Sequence, residues 1–149
     1  MKLAEDEREV LLAEVAQALD QVRSPEARVA YGELLTAVDA GEVPDDLVEP
    51  LQSLLEVGLE SGRIRRLHTA HGEMAAQRVF SRTPRARAVR EAVSAVNEAL
   101  ASLAGHELHE VSVSAHGPGS YSLTLATDQG KVLVRFDRRE VRVQSVEIG

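Results

Sequence analysis

The sequence contains no cysteine and no tryptophan, and its 149 residues include only two tyrosines and two phenylalanines. Without cysteine there can be no disulfide framework, no thiolate metal ligand and no thiol catalysis. The few aromatic rings argue against nucleic-acid recognition by base stacking, because that mode needs exposed rings. The hydrophobic core must therefore be mainly aliphatic.

Long apolar runs are also missing. The first residues, MKLAEDERE, lack the apolar stretch of a signal peptide, and no later run approaches the length of a membrane span. A chain of this length is typical of one domain, or of two small halves that share a core. We therefore expect a cytoplasmic protein with no membrane partner.

Charge is distributed unevenly along the chain, although the net charge is only −7. Residues 1–62 are strongly acidic. Residues 63–90, called here the arginine-rich segment, contain a single acid, Glu73. Its arginines are Arg63, Arg65, Arg66, Arg78, Arg82, Arg85, Arg87 and Arg90. These eight side chains are the candidate binding residues, because clustered guanidinium groups need anionic partners.

Three kinds of anion could meet this cluster: phosphate groups, an acidic partner protein, or acidic side chains of the same chain or of a second subunit. Charge runs more often form solvated or paired surfaces than ligand sites, which favours the last interpretation. The chain also has only two lysines among its 17 basic residues, so a general preference for arginine explains part of the cluster.

Apolar periodicity predicts several helices. The first is expected over Leu3–Val22, with a narrow apolar stripe formed by Leu11, Val15, Ala18 and Val22. We expect this stripe to be the self-association element. A second helix should begin at Ser24-Pro25 and end at Gly41, burying Val29, Ala30, Leu34 and Val38. A short helical turn is expected between Pro44 and Pro50, and a third helix over about Pro50–Ser61.

Residues 63–82 are ambiguous. We expect a short extended piece over Arg63–His68 and then a helix over about Ala70–Ser81, because Gly72 weakens one continuous helix. The alternative is a hairpin that turns at His71-Gly72. That hairpin, after the Pro50–Ser61 helix, would resemble a winged helix, but the helix is acidic and poorly suited to a groove lined by phosphates.

The last part of the sequence predicts a helix and then a meander. Thr83-Pro84 should start a helix that runs to Leu103 and buries Val89, Val93, Val96, Leu100 and Leu103. Alternating apolar residues from Val111 to Val143 then predict four antiparallel strands with one apolar face. The alternation changes phase near Ser145, which predicts a β-bulge there.

The remaining motifs are weak signals of chemistry. His68 and His71, like His106 and His109, are three residues apart, but no third metal ligand follows from the spacing. The sequence HGPGS at residues 116–120 contains no lysine and precedes no helix, so it predicts a hairpin turn and not a phosphate-binding loop. No serine–histidine–aspartate order can be defended. We therefore expect no metal and no cofactor.

These observations predict an α+β fold, with a helical region over residues 1–82 and a helix packed on a four-stranded antiparallel meander over residues 83–149. We expect the two regions to form one compact unit. The expected function is that of a non-enzymatic cytoplasmic interaction or assembly module, a homo-oligomer, that uses complementary acidic and arginine-rich surfaces. The alternative is a nucleic-acid or phosphate-ligand binding protein that uses the arginines of residues 63–90.

Overall fold

A computed structural model describes residues 1–148 of the chain. The fold is α+β, as predicted: helices occupy the first two thirds, and an antiparallel sheet follows them. The chain divides into two compact units, Met1–Ala86 and Arg87–Gly149. None of the helices in residues 1–148 combines the length and the apolar character that a membrane span requires.

The first unit is helical. Its elements are α1 (Glu5–Gln21), α2 (Pro25–Asp39), a 3-10 turn (Asp45–Leu47), α3 (Val48–Glu60) and α4 (Arg63–Phe80). The predicted start of α2 is confirmed, since the Ser24 side chain accepts a hydrogen bond from the Ala27 backbone N–H and Pro25 occupies the first helical position. Gly41 follows the end of α2 with a φ of 79°, a conformation that favours glycine.

Aliphatic side chains from all four helices form the core of this unit. Leu11 and Val15 of α1, Leu34 of α2, Leu55 of α3 and Val79 of α4 are fully buried in it. The expectation that this apolar stripe mediates self-association is wrong, because the core of the same chain buries Leu11, Val15 and Ala18. Val29 of α2 was expected in this core but is 62% exposed.

The arginine-rich segment begins with a kinked helix, which corrects two expectations. Arg63–His68 is helical and not extended, and no hairpin forms at His71-Gly72, so the winged-helix alternative is wrong. The kink lies at Thr69, whose backbone has a φ of 62° and a ψ of −174°. Gly72 is buried inside the helix, where it allows a close approach to α1.

The second unit contains the sheet. Helix α5 spans Pro84–Ala101, and the strands are β1 (Leu108–Gly117), β2 (Ser120–Thr127), β3 (Gly130–Asp137) and β4 (Glu140–Ile148). They form the predicted meander in the order β1-β2-β3-β4, with antiparallel neighbours throughout. The bulge expected near Ser145 is confirmed: Leu133 pairs with Ser145 and Val134 with Val143, which leaves Gln144 as the extra residue.

One face of the sheet is apolar, and α5 covers its middle. Val96 of α5 is buried together with Val132 and Val134 of β3. The prediction for this layer is partly wrong, because other apolar residues expected inside are exposed in α5 and on β1. These exposed residues are Val89, Val93, Val111 and Val113.

Candidate functional site

The arginine-rich segment makes most of its described contacts with acidic side chains of the helical unit. The most buried of these acids is Glu14 of α1, whose side chain is fully inaccessible to solvent. Arg63 Nη2 donates a hydrogen bond to Glu14 Oε2 at 2.5 Å, and His68 Nε2 lies 3.0 Å from Glu14 Oε1. The first six residues of α4 therefore bring a guanidinium group and an imidazole to one buried carboxylate, which lowers the free-energy cost of burying its charge.

A second buried acid, Glu7, lies two turns before Glu14 on α1. Its carboxylate accepts hydrogen bonds from the Ala4 backbone N–H at 3.0 Å and from Arg82 Nη2 at 2.6 Å. Arg78 Nε lies 3.5 Å from the same carboxylate, and Arg82 Nη1 also donates to the Lys2 carbonyl oxygen at 2.8 Å. These contacts tie the end of α4 to the start of α1.

Asp6 takes part in the same network at a more exposed position. Arg78 Nη2 donates a hydrogen bond to Asp6 Oδ2, and His71 Nε2 lies 3.7 Å from the same oxygen. Removal from water raises the pKa of Asp6, but the hydrogen bond and charge of Arg78, the Glu7 backbone N–H and the charge of His71 outweigh that effect. The pKa of Asp6 therefore lies below its ordinary value.

The other arginines of the segment lie outside this network. Arg85 Nε lies 3.6 Å from Glu56 of α3, and Arg65 Nε lies 3.7 Å from Glu73 within α4. Arg66 Nη1 donates to the Ser61 carbonyl oxygen at 3.1 Å. Arg87 and Arg90 lie on the exposed surface of α5. Within the first unit, carboxylates of α1 or α3 therefore contact Arg63, Arg78, Arg82 and Arg85.

The kink in α4 borders a groove next to this network. The groove is lined by residues of α1 and of both parts of α4, namely Asp6, Glu9, Val10, Leu67, His68, Thr69, His71 and Gly72. Thr69 has a positive φ, which costs about 1–3 kcal/mol for a residue other than glycine. The Arg63 and His68 contacts with Glu14, on the N-terminal side of the kink, hold this part of α4 against α1.

His68 and His71 do not converge on a common ligand position. His68 contacts Glu14, whereas His71 contacts Asp6. In residues 1–148 no three histidine or carboxylate side chains are grouped in a way that could hold a metal ion. His116 belongs to β1, and the HGPGS sequence forms the hairpin turn between β1 and β2, as predicted.

Sequence reasoning missed the roles of Glu7 and Glu14, which it counted only as part of a general acidic surface. A signal was present, because the two residues are seven apart and flank Val10 and Leu11 on one face of α1. An acid on the apolar face of a helix needs a buried partner. The partners are the arginines of α4 and of the turn that follows it.

Comparison of the chain with protein families, with curated proteins and with solved structures finds no match.

Proposed function

We propose that the protein is a non-enzymatic interaction or assembly module, and that its contact surface is the uncovered part of the apolar sheet face in the second unit. The observation that carries this proposal is the exposure of Val111 and Val113, on the face that α5 covers over β3. Large apolar side chains grouped on one exposed surface mark interaction sites.

The contacts of the arginines support the sheet face, and not the arginine-rich segment, as the contact surface. Arg63, Arg78 and Arg82 donate hydrogen bonds to carboxylates of α1 within the helical unit. The complementary acidic and basic groups thus act largely inside the chain, where they hold α4 to α1. This argues against the nucleic-acid alternative, because guanidinium groups that already bind carboxylates contribute less to binding the phosphates of a nucleic acid.

Self-association of the full chain tests the proposal. We expect sedimentation velocity to show a reversible oligomer at micromolar concentration, weakened by Val113→Ser. The matched control is Val29→Ser, since Val29 is 62% exposed and Val113 is 69% exposed. A monomer at all accessible concentrations would contradict assembly, and equal effects of the two substitutions would contradict the assignment to the sheet.

A further inference from the structure

Strand β1 is an edge strand whose central part lacks the features that usually protect sheet edges. Among the strands of residues 1–148 it pairs only with β2, so one row of its backbone N–H and C=O groups has no strand partner. Edge strands are normally blocked by lysine, proline, a bulge or an inward-pointing charge. Strand β1 carries an extra residue near each end, His109 and His116, but from Glu110 to Ala115 it keeps a regular register and contains no lysine, proline or bulge.

The opposite edge of the same sheet is protected. Strand β4 carries the bulge at Gln144 and three charged side chains, Glu140, Arg142 and Glu147, along its length. A bulge bends a strand and interrupts its row of hydrogen-bonding groups, which discourages pairing with another chain. The interruption of β4 lies in the middle of the strand, whereas those of β1 lie near its ends and leave residues 110–115 regular.

The side chains of β1 add an apolar row to the open edge. Val111 pairs with Leu125 and Val113 with Leu123, so both valines lie on the apolar face of the sheet. They are 58% and 69% exposed, respectively. A strand added beside β1 would cover both valines and pair the free backbone groups at the same time.

We propose that the strand added at this edge is β1 of a second copy of the chain, in antiparallel register about a two-fold axis through Val113. This inference rests on the proposed function and names the partner of the same surface. The symmetry places Val113 against Val113 of the second copy and Val111 against Ala115. Apolar side chains then face apolar side chains, as a self-complementary interface requires.

The acid and the imidazole of β1 favour the register with the axis at Val113. With the axis at Val113, Glu110 of each copy lies next to His116 of the other, the extra residue that ends the regular part of β1. Both side chains are exposed in the single chain, where Glu110 accepts a hydrogen bond from Ser112 Oγ at 3.0 Å and His116 Nε2 lies 2.6 Å from Ser122 Oγ. An axis at Ser112 would place Glu110 opposite Ser114 instead and lose both pairs.

A second copy fits this edge better than an unrelated strand, since β1 itself supplies both the acid and the imidazole of each cross-strand pair. A two-fold axis in the middle of antiparallel strands is perpendicular to the sheet. The eight strands would therefore form one sheet, with both α5 helices on its apolar face. Such a sheet would have two edges, each a β4 strand protected by its bulge.

Charge reversal in the full chain tests the register. We expect E110K and H116E each to weaken the dimer at least about tenfold in sedimentation equilibrium, because each variant places like charges opposite each other or removes the attraction twice per dimer. Mixing the two variants should restore association, since each cross-strand pair in the mixed dimer is again a basic side chain next to an acid. The double variant E110K/H116E should also associate.

Glu91→Lys is the matched control, because it makes the same charge change on the exposed surface of α5 and should leave association as in the unmodified chain. Thermal unfolding should show that all variants keep their fold. Rescue by mixing together with concentration-dependent protection of β1 amides in hydrogen exchange would support the dimer.

Two results would overturn the inference, and they have different meanings. If the unmodified chain associates but E110K and H116E associate equally well, the register through β1 is wrong while the assembly function stands. If the unmodified chain is a monomer at every concentration, the assembly function fails and the β1 dimer fails with it.

Discussion

Glu14 of α1 and Arg63 of α4 form a buried ion pair across 49 residues of sequence, with Nη2 and Oε2 2.5 Å apart. The carboxylate is fully buried and also lies 3.0 Å from His68 Nε2. Because an unpaired charge at this depth is very unfavourable, this pair makes the packing of α4 on α1 specific. It also explains why the arginine that opens the basic segment is not available to an external ligand.

Removing Arg63 should destabilise the protein strongly. We expect Arg63→Ala to lower the free energy of unfolding by about 3 kcal/mol, at the lower end for a broken buried pair because His68 still contacts Glu14. The matched control is Arg66→Ala, an exposed position on the same helix turn, which should change stability by less than about 0.5 kcal/mol. Urea denaturation measures both, and equal effects would show that the pair contributes nothing specific.

Two helical glycines should respond in opposite ways to alanine. A Cβ at Gly72 would lie 2.3 Å from His68 Cβ and 3.3 Å from Val10 Cγ2, so Gly72→Ala should destabilise the protein by about 1–3 kcal/mol. A Cβ at Gly32 meets no atom within 4 Å, so Gly32→Ala should stabilise α2 by about 0.5–1 kcal/mol. Thermal unfolding of both variants checks this, and a stabilising Gly72→Ala would contradict the close approach of α4 to α1.

The low pKa of Asp6 predicts a pH-dependent contribution to stability. The unfolded chain binds a proton at Asp6 at higher pH than the folded chain does, so the contribution is complete above the ordinary value of 3.8 and is lost as the pH falls. We expect Asp6→Asn to be destabilising at neutral pH, and the difference from the unmodified protein to shrink as the pH falls below 3.8. Urea titrations across this range measure it.

Asp20→Asn is the control for that experiment, because Asp20 is an exposed acid of the same helix with no ion pair among the described residues. Its effect should remain small at every pH. If the Asp6→Asn difference stayed constant through the acid range, Arg78 and its neighbours would not be lowering the pKa of Asp6.

The nucleic-acid alternative predicts a measurable salt dependence, and we expect not to find it. The intact protein should bind duplex DNA negligibly at physiological salt, because its net charge is −7 and several of its arginines already bind carboxylates. Fluorescence anisotropy with a labelled duplex tests this. Sub-micromolar binding, with a log–log salt slope of roughly −0.9 per phosphate engaged, would prove the expectation wrong.

A pair of arginine variants separates the two roles of these side chains. Arg82→Ala should lower stability, since Arg82 donates to the buried Glu7 carboxylate, and it should leave DNA binding negligible. Arg87→Ala, at an exposed position of α5, should change neither property. If the two substitutions instead weakened DNA binding equally and left stability unchanged, the arginines would be phosphate ligands.

Local signals predicted most elements correctly. Ser24 and Pro25 mark the start of α2, and HGPGS marks the turn between β1 and β2, because capping and turn formation depend on residues adjacent in sequence. The change of phase before Val146 likewise identified the bulge in β4. The Arg63–His68 piece was mispredicted as extended, because its helix is held by distant contacts with Glu14.

The candidate site was predictable only in part. The sequence shows that residues 63–90 concentrate arginine and that residues 1–62 concentrate acid. It does not show which arginine contacts which acid, because that depends on how α4 packs on α1. Exposure of Val111 and Val113 was equally hidden, since alternation identifies a face of a sheet but not what covers it.

By itself, then, the sequence determined the α+β class, the helices that have clear caps, the meander and the separation of charge, since each depends on short-range periodicity or composition. The burial of Glu7 and Glu14, the pairing of Arg63, Arg78 and Arg82 with acids of α1, and the position of β1 at the sheet edge became visible only in the folded chain. The physical reason is that burial and pairing depend on contacts between residues far apart in sequence.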